Sequence, residues 1–438
     1  MASGVQRRVY RVGLLGFGVV GAGVVDALQR RGDLIERRTG LRLELHRIAD
    51  IDLERDRGVR VDRSLLTRDA AAVVDDPAVD IVVELIGGTG AARELVLQAL
   101  QRGKPVVTAN KALLAEHAEE IFSAAQRSGA DLYYEASVGG GIPVIRALRE
   151  GLVANHIESI YGIVNGTCNY ILTEMERSMR PFQEVLKAAQ QAGYAEADPS
   201  LDVDGTDTAH RAVILGSLAY GFPIAFDKVE VEGIRQVTPL DIRYAGELGY
   251  RIKLLAVISH QGGGIVVGVH PALIARRHML ASVSGVFNAV LIRGDIVGDT
   301  LYYGKGAGRL PTAGAVLSDL ADVARNLHFG AAGRVPALVR HDTYGEVRSL
   351  GQTYSRFYLR LSLPDRPGML AQVARILGEH RISIASVVQK EERSGEHVPV
   401  IIITHATLEA GMREAVAEID RLSIVGAPTV RFRIVDFD

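Results

Sequence analysis

The sequence predicts an α/β protein: a doubly wound parallel sheet, then an α+β segment, then a small β-α-β-β-α-β tail. Three observations predict it. Short apolar runs alternate with amphipathic stretches from Tyr10 to about Ser137, the pattern of a parallel sheet covered on both faces. A glycine-rich turn, Gly16–Gly21, separates the first apolar run from the first amphipathic stretch. After residue 355 the pattern restarts in the ferredoxin-like order.

The elements follow in chain order. Strands are expected at Tyr10–Leu15, Leu43–Ala49, Asp80–Leu85, Pro105–Ala109 and Asp131–Ala136, and helices at Val19–Arg30, Arg93–Gln101 and Lys111–Gly129. Arg31–Arg42 reads as an insertion. From about Gly139 to Leu310 the order is less regular. Helix-like Phe182–Gln191 and Thr208–Tyr220 precede strand-like Ile252–Ser259, Ile265–His270 and Val286–Ile292. Ala313–His328 returns to a helical pattern, with Leu317, Leu320 and Val323 on one face. In the tail, strands are expected at Arg356–Leu363, Ile382–Gln389, Val398–Thr404 and Thr429–Val435. Helices are expected at Pro367–His380, with Pro near its first position, and Ala406–Arg421.

At about 150 residues per domain, 438 residues imply about three domains. The apportionment is 1–137 with a returning helix at 312–330, then 138–311, a linker at 331–355, and 356–438. Fifty Lys+Arg against 52 Asp+Glu leave no basic footprint for nucleic acid and no polybasic membrane patch. One cysteine, Cys168, excludes an intrachain disulfide framework and any Cys-built zinc or iron–sulfur site. The run Val12–Val25 imitates a signal peptide. It is shorter than the roughly 20 residues of a membrane span, and its five glycines suit a turn better than a signal core. The expectation is a cytoplasmic protein without a membrane partner.

Gly16-Phe17-Gly18-Val19-Val20-Gly21 is G-x-G-x-x-G between a strand and a helix, the Rossmann-type context. The first glycine permits the tight turn, the second lets backbone approach a pyrophosphate, and the third lets helix and strand pack closely. The helix N-terminus adds N–H donors and partial positive charge. The expected cofactor is NAD or NADP. Asp50 and Asp52 stand where a carboxylate meets the ribose hydroxyls, which favours NAD; Arg47 and Arg55 lie beside them, so the choice stays open. Gly87-Gly88-Thr89 is a second glycine turn at a strand's carboxyl end, readable as ligand edge or as plain connection.

Further motifs follow in order. They are Thr108-Ala109-Asn110-Lys111, Glu135-Ala136-Ser137-Val138-Gly139-Gly140-Gly141-Ile142-Pro143, Asn165-Gly166-Thr167-Cys168-Asn169, Gly193-Tyr194-Ala195-Glu196-Ala197-Asp198-Pro199 and Asp202-Val203-Asp204-Gly205-Thr206-Asp207. Gly304-Lys305-Gly306-Ala307-Gly308 and Pro311-Thr312-Ala313 complete the set. It resembles homoserine dehydrogenase over about residues 10–330. The tail, with Asp365-Arg366-Pro367-Gly368 at its first strand-to-helix turn, resembles an ACT regulatory domain. The resemblance implies interconversion of L-homoserine and L-aspartate semialdehyde with NAD or NADP, in threonine, methionine and isoleucine synthesis.

Such a reaction needs hydride transfer and a proton relay at the oxygen. The 12 histidines are scattered without H-x-x-x-H, so the proton carrier is expected to be a lysine or carboxylate. Lys111, at the sheet's ligand edge, is the first candidate. The resemblance implies that Glu196 and Asp207 bind the substrate ammonium and orient the proton donor, while Asn165, Thr167 and Asn169 would supply neutral hydrogen bonds near the substrate or the domain junction. Asp198, Asp202 and Asp204 read as a solvated acidic loop. Gly193, Thr108, Lys111, Gly306 and Gly308 would face the cofactor. Where the family motif D-x-x-x-K carries its proton-transferring lysine, this chain has Asp207 followed by Arg211. Arginine keeps the charge and does not deprotonate. Arg211 would then stabilise the alkoxide while Lys111, or a water held by Asp207, moves the proton.

Glu135 with the carbonyls of Val138, Gly140 and Ile142 resembles the family's monovalent-cation site, with Na⁺ expected; a glycine-requiring corner is the other reading. Cys168 is expected to be structural or substrate-lining, because hydride transfer needs no covalent intermediate. Asp365, Arg366, Pro367 and Gly368 would bind an amino-acid effector, threonine by resemblance, or serve pairing alone. A homodimer or homotetramer is expected. Two competitors remain: a dehydrogenase of another amino acid aldehyde, and an amino-acid-responsive binding protein that lost catalysis with the lysine.

Overall fold

The computed structural model describes residues 8–261, 263–341, 346–390 and 397–437. The chain divides into two compact units. One comprises residues 1–164, 210–227 and 287–345; the other comprises 165–209, 228–286 and 346–438.

In the first unit the strands Val9–Leu15 (β1), Arg42–Ala49 (β2), Leu66–Thr67 (β3), Ile81–Glu84 (β4), Val106–Thr108 (β5) and Leu132–Tyr133 (β6) form one sheet. Its order is β3-β2-β1-β4-β5-β6, and every pair is parallel. The order reverses between β1 and β4, which places the ligand crevice outside the carboxyl ends of those strands. The β4 residues are fully buried, as a strand covered on both faces must be. The helix Arg309–Phe329 returns to this sheet and packs on the helix Val19–Thr39. Ala22, Val24, Val25 and Leu28 meet Ala313, Val316, Leu320 and Val323 in a core with Tyr10, Val12 and Leu14. Gly23 permits the approach, because a Cβ there would lie 2.5 Å from the Arg309 carbonyl oxygen. A separate antiparallel group joins Ile157–Ile163, Phe287–Gly294 and Gly298–Lys305.

Several expected boundaries move. The first helix does not stop at Arg30. It continues to Thr39, because Leu34, Glu36, Arg37 and Arg38 outweigh Gly32 and Asp33 and Ile35 packs against the core, and it ends on Gly40 at φ 75°. Lys111–Gly129 is two helices, Lys111–Glu116 and Ala118–Ser128, broken at His117, whose φ of −124° is not helical. Asp131–Ala136 gives only a two-residue strand before a 3₁₀ turn at Glu135–Ser137. The strand Gly298–Lys305 was not expected, because its glycines and tyrosines mask the alternation.

In the second unit the strands Tyr250–Gln261 and Gly264–Ala275 pair antiparallel. The tail forms a sheet in the order Val430–Val435, Tyr354–Pro364, His397–Thr404, Ile384–Gln389. The helices Met369–Glu379 and Glu409–Ile419 bury Val373, Ile376, Leu377, Met412 and Ala415 against Phe357, Leu359 and Leu361. Gly264–Ala275 pairs parallel with Val430–Val435, so hairpin and tail share one sheet. Part of the expected linker is regular: Val347–Arg348 is a strand and Leu350–Gln352 a 3₁₀ turn. Residues 342–345 of it lie outside the described residues.

Candidate functional site

The glycine turn opens at the end of β1. Gly16 has φ 94°, and a Cβ there would meet Leu85 backbone at 2.6 Å. A Cβ on Gly21 would lie 2.2 Å from the Gly16 carbonyl oxygen, whereas Gly18 has open space. One glycine is thus required by conformation, one by packing, and one leaves backbone accessible. Gly18 caps the helix that begins at Val19. Phe17 is buried, while Val19 is exposed.

Beside the turn lies a cavity of about 490 Å³, lined among others by Gly18, Asp50, Ile51, Arg57 and Arg309. Asp50 Oδ2 accepts the Phe17 N–H at 2.6 Å, and Asp50 Oδ1 accepts the Asp52 N–H at 2.8 Å and Arg57 Nη2 at 3.1 Å. Arg57, which sequence reasoning missed, also donates to the Phe17 carbonyl and stacks over the Phe17 ring at 4.9 Å.

At the carboxyl ends of β4 and β5 a buried carboxylate organises the edge. Glu84 Oε2 accepts the Thr108 hydroxyl at 2.6 Å, and Oε1 accepts the N–H groups of Ile86 and Gly87 at 2.8 and 3.1 Å. Burial pushes the Glu84 carboxyl up, and these donors pull it back. Gly87 and Gly88 both have positive φ. The Asn110 side chain donates to the Gly88 carbonyl at 2.7 Å and caps the helix that Lys111 begins. Lys111 therefore stands half-buried at this edge. Glu84 was also missed; its signal is an acid ending an otherwise apolar strand.

The Glu135 carboxylate is buried and accepts the Ile145 and Arg146 N–H groups, each at 2.9 Å. The Glu135 N–H donates to Asp319 at 2.8 Å. Burial, then the charge of Glu135, pushes Asp319 up to about 8. The turn behind them has positive φ at Gly139 and Gly140. The Ile142 carbonyl accepts the Val144 N–H at 2.8 Å. A Cβ on Gly140 would strike the Gly306 carbonyl at 2.5 Å, and one on Gly306 would strike the Asn288 amide. Among the described residues no cluster of three or more His, Cys, Asp and Glu could hold a metal ion. A buried carboxylate and backbone carbonyls are oxygen ligands of the kind that a hard cation takes. Gly308, with φ 125°, caps the helix Arg309–Phe329.

In the second unit Asn165 caps the helix Gly166–Ser178 through the Cys168 N–H. Its amide nitrogen donates to Asp202 at 2.7 Å and to Asp207 at 2.8 Å, gathering two carboxylates. Asp202 is thus drawn inward rather than solvated as expected. Asp198 accepts the Ser200 N–H, and Asp204 pairs with Arg235, both at the surface. Asp207 is buried and Glu196 exposed. Thr167 donates to the Tyr194 carbonyl at 2.9 Å, and Gly193 has φ 75°. Cys168 is fully buried with its thiol on the Asp202 carbonyl at 3.1 Å. Arg211, half-buried, belongs to the first unit and lies on the helix Thr206–Tyr220.

The tail's first turn borders a cavity of about 330 Å³ lined by Asp365, Arg366, Pro367, Gly368, Gln389 and Val400 among others. The helix begins at Met369 rather than Pro367, because Gly368 takes φ 85° at the cap. Gln389 donates to Asp365 at 3.0 Å. Among the described residues no helix is long and apolar enough to cross a membrane.

Three stretches of the chain match known protein families. Residues 16–135 match the homoserine dehydrogenase NAD-binding domain, residues 143–321 match homoserine dehydrogenase, and residues 357–423 match the ACT domain. The homoserine dehydrogenase of Pseudomonas aeruginosa is 46% identical over 430 residues, covering 97% of this chain and 98% of that protein. The crystal structure of a homoserine dehydrogenase from Thiobacillus denitrificans is 47% identical, with a TM-score of 0.93 over 99% of this chain and 100% of that one. A hyperthermophilic archaeal homoserine dehydrogenase in complex with NADPH is 26% identical, with a TM-score of 0.63 over 72% of this chain and 98% of that one.

Proposed function

The chain belongs to the homoserine dehydrogenase family of NAD(P)-dependent oxidoreductases, and on that premise we propose how its own residues divide the work. Residues 1–137 with the helix at 312–330 bind the nucleotide, 138–311 bind substrate, and 356–438, after the linker at 331–355, sense an amino acid. Gly16–Gly21 and the helix N-terminus hold the pyrophosphate. Bound NAD(P) supplies the hydride acceptor for the alcohol carbon. Lys111 takes the hydroxyl proton. Arg211 supplies a fixed positive charge to the developing alkoxide. Glu196 and Asp207 bind the substrate ammonium, and Asn165 sets Asp207 in place.

The observation that carries this reading is one shared edge. Lys111 leaves β5 at the same carboxyl edge where the Gly16–Gly21 turn leaves β1. Glu135, with the carbonyls of Val138, Gly140 and Ile142, holds Na⁺. The Asp365–Gly368 turn binds threonine. The protein is cytoplasmic and works as a homodimer or homotetramer.

The test is purified protein with homoserine and NAD or NADP, followed by absorbance of the reduced nicotinamide. No turnover with either cofactor overturns the assignment. Arg211 favours a second reading, a binding protein that has lost catalysis; nucleotide binding without turnover would support it. Turnover of another amino alcohol in preference to homoserine would instead point to a different aldehyde.

A further inference from the structure

We infer that this chain selects NAD over NADP, that Asp50 makes the selection, and that Arg57 positions Asp50 rather than receiving a phosphate. The inference rests on the nucleotide site proposed above. At the end of β2 two chemistries compete: a carboxylate reads the ribose 2′-hydroxyl, and an arginine accommodates a 2′-phosphate. The sequence offers both, and the structure sorts them by the bonds each has already made.

Arg47 faces elsewhere. Its Nη1 donates to the Ser64 carbonyl at 3.0 Å, its Nε lies 3.8 Å from Asp76, and it lines a different hollow with Thr67 and Asp69. Arg57 lines the cavity, with its side chain only 8% exposed. Each of its nitrogens is committed: Nε to the Phe17 carbonyl, Nη1 to the Arg55 carbonyl, Nη2 to the Asp52 carbonyl and to Asp50. A phosphate would have to break these bonds to obtain the fork geometry that makes arginine a phosphate ligand.

Asp50 is organised in the opposite sense. A carboxylate has about four acceptor positions. Oδ1 uses two, on the Asp52 N–H and Arg57, and Oδ2 uses one, on the Phe17 N–H within the glycine turn. The acceptor position left on Oδ2 suits one hydroxyl donor, and the same oxygen presents a fixed anion to a phosphate. The cavity does not outweigh it. Arg55, Arg57 and Arg309 line it against Asp50, Asp52 and Asp56, three charges of each sign. Arg55 and Arg309 have no ion-pair partner among the described residues, so they supply the attraction that Asp50 overrides.

The test uses two fragments as probes on the full chain, followed by calorimetry: 5′-AMP and its 2′-phosphorylated analogue, 2′,5′-ADP. AMP is expected to bind at least tenfold more tightly. Asp50→Ser should reverse the order, because Arg55 and Arg309 remain, and adding Arg55→Ala and Arg309→Ala should cancel the reversal. Arg57→Gln should narrow the wild-type preference and Arg57→Lys should restore part of it, with circular dichroism reporting folding. Equal or tighter binding of 2′,5′-ADP to the wild type, or no binding of either fragment, overturns the inference. Homoserine oxidation with a higher kcat/KM for NADP overturns it and leaves the proposed function standing. The expected fragment order without homoserine turnover does the reverse.

Discussion

Thr108 donates its hydroxyl to Glu84 Oε2 at 2.6 Å, and both residues are fully buried. The bond ties β5 to β4 at the edge where Lys111 begins its helix. Glu84 accepts from Thr108, Ile86 and Gly87. Glu84→Gln would turn an amide N–H₂ toward one of them and leave a buried donor unpaired, at a cost of about 1–3 kcal/mol. Thermal unfolding should show that loss. Cofactor affinity should fall with it, because the Gly87–Gly88 turn loses its anchor.

Gly21→Ala places a methyl 2.2 Å from the Gly16 carbonyl oxygen. The turn and the helix must separate, at about 1–3 kcal/mol. The expected outcome is cofactor binding weakened about tenfold or more, read by calorimetry. Gly18→Ala, whose Cβ has open space, should cost folding stability far less. Similar melting temperatures for the two variants would refute the packing role of Gly21.

Arg211→Lys should raise the turnover number for homoserine oxidation, since lysine exchanges a proton near neutral pH more readily than arginine. Lys111→Ala should lower it by about a hundredfold or more if Lys111 is the proton carrier. Steady-state rates across pH check both. No gain in Arg211→Lys would mean that arginine is no handicap in this site.

Glu232 accepts Arg433 at 2.8 and 3.1 Å and Arg431 at 3.3 Å. Burial pushes its carboxyl up, but the Arg433 hydrogen bonds and charge, with His270 and Arg431, hold it down at about 2. Unfolded, it returns to its ordinary value of 4.5. Between these values the unfolded chain binds more protons, so stability rises with pH there. The contribution is complete above pH 4.5 and is lost as pH falls toward 2, on the order of 3 kcal/mol. Urea midpoints at about pH 5 and pH 3 should differ less in Glu232→Gln than in the wild type.

Local chemistry made much of the molecule legible. Gly16 needs positive φ, and the strand–turn–helix around it follows from neighbours within a few residues. The tail's order follows likewise from the period of its apolar residues. Boundaries that failed were also local, but depended on caps: Gly40 and Gly368 end or begin helices through a φ that periodicity does not record.

What the sequence determined by itself was the order of elements, the glycine turn, and which acids, lysines and arginines were available. Tertiary structure decided what those charges do. Glu84 meets Thr108 across 24 positions, Arg57 meets Phe17 across 40, and Asn165 gathers Asp202 and Asp207 across 37 and 42. A charged side chain takes its role from the donors and acceptors that surround it once water is excluded. Those partners come from distant segments, and only the fold brings them within hydrogen-bond reach.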